Sequence, residues 1–124
     1  MISNKTVERV GMPKTGLLGP HRLDVDGIGH AVRRRCPGTF VLGYEDFNKT
    51  FYVNYVGRSD RDLVEDLKSR IGSDILFKYA LYSTPQEAFY KECELFHSFN
   101  PRANILHPTR LEGTNWKCPS CAAR

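Results

Sequence analysis

Between Thr39 and Phe99 the hydrophobic period of this chain alternates between two and 3.6 residues, and the order of those changes limits its fold more than any other feature. Thr39 to Tyr44 and Thr50 to Val56 are rich in β-branched and aromatic residues and flank a turn-forming cluster, Asp46, Phe47, Asn48 and Lys49. They should pair as an antiparallel hairpin. Gly57 ends the second strand, and Ser59 with Asp62 three residues on resembles a capping box, opening a helix from about Asp60 to Ile71. Leu63, Val64, Leu67 and Ile71 are its expected buried stripe. Gly72 is the stop, and Ile75, Phe77, Tyr79 and Leu81 alternate along a third strand. Thr84, Pro85 and Glu87 then combine a capping box with proline at the first helical position, starting a helix to Phe99. The expected class is α+β, with a small three-stranded antiparallel sheet flanked by helices.

A chain of 124 residues has room for one core of moderate size, and so for one principal site. We divide it into a loosely ordered basic arm (1–37), a folded domain (38–104) and a tail (105–124). The arm is rich in Gly, Pro and charge and ends in Arg33, Arg34 and Arg35. The run is either a solvated patch or a phosphate contact. A net charge of +4 and a pI near 9 lean toward a polyanionic partner. No apolar stretch is long enough to span a membrane, and no signal-peptide core is visible, so the chain reads as cytoplasmic. In a reducing compartment four cysteines point to metal binding or burial rather than disulfides.

Glu92 is the misplaced residue. On the helix from Pro85 to Phe99, Ala88, Phe89, Leu95, Phe96 and Phe99 form an apolar stripe with Glu92 at its middle, while Glu87 and Glu94 fall on the other face. A buried carboxylate needs a metal, an arginine or a raised pKa.

The strand order, with Gly38-Thr39-Phe40 on the first strand and Tyr55-Val56-Gly57 closing the second, resembles the GIY-YIG nuclease domain. The resemblance extends through Glu87, Ala88 and Glu92 to Pro101, Arg102 and Asn104, in the order found in the nuclease domain of the bacterial excision-repair incision subunit. It covers roughly residues 38–104. It implies metal-dependent hydrolysis of a nucleic-acid phosphodiester, DNA before RNA. Glu92 would bind magnesium or manganese, Asn104 would organise the site, Tyr55 would position the water, and Gly57 would let backbone approach the substrate. Arg58 would supply positive charge. Two positions depart from the family: Phe40 lacks the hydroxyl of the first motif's tyrosine, and Asp66 stands where the catalytic arginine belongs. Arg61 or Arg70 could replace that arginine, or Asp66 and Arg70 form a surface ion pair. Tyr44 could fill the space of the missing tyrosine. The alternative is a catalytically inactive, zinc-stabilised module that binds nucleic acid or protein.

Cys118 and Cys121 have the spacing of a zinc knuckle, which is half a site. Cys93 and His97 lie four apart on one helix face and are the expected second pair, with His107 as the substitute for His97. Such a zinc would tie the irregular tail to the last helix. Trp116 is expected to be a packing anchor beside it.

Overall fold

The structure is a computed structural model describing residues 7–8 and 14–122. Its strands are β1 (Val7–Glu8), β2 (Leu18–Arg22), β3 (Gly38–Glu45), β4 (Phe51–Ser59) and β5 (Leu76–Leu81). The helices are α1 (Val25–Ala31), α2 (Leu63–Lys68), α3 (Pro85–Phe99) and α4 (Pro119–Ala122). The strands form one sheet in the order β1-β4-β3-β5-β2, antiparallel throughout. The expected three-stranded centre is therefore β4-β3-β5, extended by a strand on each side. No helix among the described residues is long and apolar enough to cross a membrane.

β3 runs as an almost unbroken buried segment because both its faces are covered. Phe40 and Leu42 point to one face, where they pack with Ile28 of α1, Leu63 and Leu67 of α2, and Phe77 and Tyr79 of β5. Val41 points to the other, with Phe51, Val53 and Val56 of β4 and Leu95 and Phe99 of α3. The result is three layers: α1 and α2, the sheet, then α3. Thr39, buried on the α3 face, donates its hydroxyl to the carbonyl of Ala88 at 2.7 Å, so its polar group is satisfied.

One irregularity sets the chemistry of β4. Leu42 pairs with Tyr55 and Gly43 with Val53, which leaves Asn54 as an extra residue in a β-bulge. Before the bulge the odd-numbered Phe51 and Val53 face α3; after it the even-numbered Val56 does. Tyr55 is thereby turned toward the α2 layer, where it packs on the core, and Arg58 toward α3.

The arm is more ordered than its composition suggests, since β2 pairs with β5 and α1 packs on the sheet. Asp24 caps α1 by accepting from the backbone of Gly27 at 2.7 Å, and Ile28 is fully buried. The calls on residues 1–6 and 9–13 lie outside the described residues. α2 is shorter than expected and its cap is Asp62, which accepts from Glu65, while Ser59 in turn accepts from Asp62. Ile71 and Ile75 are exposed rather than buried.

The backbone is close enough at the bulge to forbid a side chain. A Cβ on Gly43 would stand 1.8 Å from the carbonyl oxygen of Tyr52, whereas one on Gly29 would meet nothing within 4 Å. Gly43→Ala should lower stability by about 2 kcal/mol or more. Gly29→Ala, inside α1, should raise it by about 0.5 kcal/mol. Urea unfolding of both variants checks the pair, and a neutral Gly43→Ala would contradict the bulge geometry.

Candidate functional site

Beyond the two residues paired with β1, the outer edge of β4 is covered by the chain that follows α3. Ala103 donates to the carbonyl of Asn54 at 2.9 Å. The side chain of Asn104 then accepts from the amide of Val56 at 2.8 Å and donates to its carbonyl at 2.9 Å. Its carboxamide acts as one residue of an additional strand, satisfying both backbone groups of Val56. Asn104 thereby ties the segment after α3 to the edge of β4.

Along this edge lies a cleft of about 340 Å³, lined by Tyr55, Arg58, Asp60, Glu92, Asn104 and residues 106–109. Four of the residues named from the sequence, Tyr55, Arg58, Glu92 and Asn104, therefore share one cavity. Gly57 does not line it. A Cβ at Gly57 would stand 2.6 Å from the Phe40 ring and 2.8 Å from that of Tyr55, so its glycine makes room for aromatic packing rather than for a ligand.

Of the three explanations for Glu92, the partner in the structure is an arginine. Arg58 donates from Nη1 to Glu92 at 2.7 Å and from Nε to Asp60 at 2.7 Å, and its guanidinium lies 5.0 Å from the centre of the Phe89 ring. Burial raises the Glu92 pKa, and the Arg58 hydrogen bond offsets this only in part. Burial also opposes the charge on Arg58, but Asp60 and Glu92 outweigh it and hold that guanidinium more firmly protonated than usual. Two carboxylates thus flank one cationic position. Asp60, two residues from Arg58 and just past the end of β4, joins the site although the sequence marks it only as a helix start.

Arg70 and Asp66 do not form the surface pair considered for them. Arg70, just past α2, donates to the Tyr55 hydroxyl at 2.6 Å and stacks 4.3 Å over its ring. A guanidinium thus reaches the tyrosine from Arg70, beyond the end of α2, and not from position 66. Asp66 lines a separate acidic groove with Asp60, Arg61, Asp62 and Glu65. Phe40 is buried, its ring 6.1 Å from Tyr55, and Tyr44 stacks on Tyr52 instead of filling a space beside it.

A second cluster adjoins the cleft. His97 from the last turn of α3, His107, Cys118 and Cys121 bring one donor atom each within 4.8 Å of one another. Both histidines belong to the set, rather than one replacing the other. Cys93 is not a member: fully buried, it packs with Phe89, Cys118 and Trp116, and its thiol pKa is driven up by burial and by the Cys118 contact. The Nε2 atoms of His97 and His107 are 3.1 Å apart, and Cys121 Sγ lies 3.3 and 3.5 Å from them. Around a tetrahedral zinc, neighbouring nitrogens stand about 3.3 Å apart and nitrogen about 3.6 Å from sulfur. The separations of these three donors are close to those around a tetrahedral ion, and Cys118 supplies a fourth donor within 4.8 Å.

The surrounding bonds favour ligand protonation states. His107 Nδ1 donates to the carbonyl of Pro108 at 2.7 Å, which places the ring proton on Nδ1 and the lone pair on Nε2. The Cys118 thiol, though raised by burial, is brought down to about 7, foremost by the Cys121 backbone amide. Trp116 lies 5.7 Å from the Phe89 ring, a packing anchor as expected. The geometry is that of a possible metal site compatible with structural zinc.

The Arg58–Glu92 pair has a testable asymmetry, because both side chains are only 10% exposed. Arg58→Met strands Glu92 and should cost about 3 kcal/mol near neutral pH. Glu92→Gln should cost much less. An acid whose folded pKa is raised binds its proton more readily when folded, so its burdensome charge is relieved as pH falls through that value. The Arg58→Met deficit should accordingly shrink between about pH 7 and about pH 5, as unfolding curves at the two values would reveal. A deficit that grows with acid would refute the assignment.

No protein-family model matches this chain, and neither a curated protein nor a solved structure matches it.

Proposed function

We propose that the chain is a GIY-YIG-like nuclease domain whose cleft receives a nucleic-acid phosphodiester, DNA before RNA, and hydrolyses it with magnesium or manganese at Glu92. The observation that carries this reading is the meeting of Tyr55, Arg58, Glu92 and Asn104, distant in sequence, around one cleft. Arg70 on Tyr55 adds the guanidinium that Asp66 removed from the motif. The carboxylates of Asp60 and Glu92 suit a hard cation that completes its shell with phosphate oxygens and water, once Arg58 leaves the position between them. Such an ion would neutralise charge on the phosphate.

The chain's own groups have distinct tasks in this scheme. Arg58, released from Glu92, donates to a phosphate oxygen. Arg70 donates to the Tyr55 oxygen, leaving the phenol proton to hold a water or a phosphate oxygen. Asn104 keeps the β4 edge in place beneath them. A structural zinc on His97, His107, Cys118 and Cys121 fixes the tail, and elemental analysis of protein purified without chelator should find about one zinc per chain.

A second reading, a catalytically inactive module that binds nucleic acid or protein, draws on the Arg58–Glu92 pair itself and on the missing hydroxyl of Phe40. One experiment separates the two. Labelled DNA, single- and double-stranded, is incubated with the protein and magnesium or manganese. The nuclease reading expects cleavage that falls at least about 100-fold in Glu92→Gln, while salt-sensitive binding persists. Binding without any metal-dependent cleavage would overturn hydrolysis and leave the binding module.

A further inference from the structure

The cleft and the metal cluster share a residue. His107 contributes Nε2 to the four-donor set and also lines the cleft beside Glu92, with Leu106, Pro108 and Thr109 as its neighbours in the same wall. This wall belongs to a stretch that burial does not hold, since no residue from 105 to 117 is buried. Ile105 and Leu106 are 92% and 76% exposed. On the near side the wall is fixed by Asn104 on Val56. On the far side its anchors are His107 against His97 and Cys121, the Phe96 ring edge-on to His107 at 5.2 Å, and Trp116 on Phe89. A segment with so little apolar surface out of water lacks the energy to offset its ordering entropy, about 1 to 2 kcal/mol per residue. A metal cross-link between His107, α3 and the two tail cysteines supplies the missing constraint.

We infer that zinc bound by His97, His107, Cys118 and Cys121 positions the 106–109 wall of the phosphate cleft, so that metal occupancy controls how well the cleft binds a nucleic-acid backbone. His107 is the positioning residue. The inference rests on the proposed reading of the cleft as a phosphodiester site, and adds to it a dependence on a metal other than the one at Glu92. The sheet should be indifferent to the ion. The two large core clusters contain none of the four donors, and only the small cluster of Phe89, Cys93, Cys118 and Trp116 touches the site.

The test compares full-length protein loaded with zinc, the same protein stripped by a zinc-selective chelator, and the Cys121→Ser variant. Far-UV circular dichroism monitors the sheet and helices. Amide hydrogen exchange is followed over residues 101–117, and affinity is measured for a short labelled DNA in the absence of magnesium and manganese. Expected on zinc removal are an unchanged dichroism spectrum, at least tenfold faster exchange in 103–109, and at least tenfold weaker DNA binding, all restored by added zinc. Exchange in 103–109 that ignores zinc would overturn the inference whether or not DNA binds. So would equal DNA affinity with and without zinc. Zinc-dependent protection of the wall in a protein that binds no DNA in any state would instead overturn the phosphodiester reading and the metal's control over it.

Discussion

The pairing of β3 with β4, and the single bulge within it, governs everything else in the molecule. β3 is buried on both faces and hydrogen-bonded on both edges, so it cannot shift without disrupting both core layers. The extra residue Asn54 changes the parity of β4 against this fixed reference. Tyr55 and Arg58, three residues apart and so on opposite faces, are thereby turned toward the α2 layer and toward α3 respectively, the reverse of what an unbulged strand would give. Arg70 beyond α2 meets the first, and Glu92 on α3 meets the second. Neither contact survives in a regular ladder.

Much of the central domain could be read in advance because its segments are strongly periodic and sharply punctuated. Phe77 and Tyr79 alternate as a strand should, and Thr84 caps the helix as its neighbours predict, accepting from the amide of Glu87. The arm was opaque for an equally physical reason. β2 contains Gly19 and Pro20, which erase a strand's usual signature, and α1 contains Gly27 and Gly29, which depress helix propensity. These elements exist because tertiary contacts support them: Tyr79 donates to the Ala31 carbonyl, and Leu23 and Ile28 enter the core.

The candidate site divides along the same line. Glu92 was visible as an anomaly of period, since burial of a helix face is a local property. Its partner was not, because Arg58 is brought to it by a strand 34 residues away. The resemblance implies a metal at Glu92; the bonded partner in the structure is Arg58. For the metal cluster, helical spacing put Cys93 and His97 on one face, yet shared direction does not fix depth. Cys93 lies against the core, whereas His97, a turn nearer the end of α3, meets the returning tail. Only the path of residues 101–121 could decide that His107 joins His97 rather than replaces it.

The carboxamide of Asn104 has a consequence for the protein's behaviour in a crowded solution. Past its short pairing with β1, β4 would present unpaired amides and carbonyls, the kind of border on which another chain can add a strand. One side chain bonded to both polar groups of Val56, and one amide bonded to Asn54, close that border. The post-helical segment is thus a guard against self-association as well as part of the cleft. Its loosening would expose a template for aggregation before any of the hydrophobic core came undone.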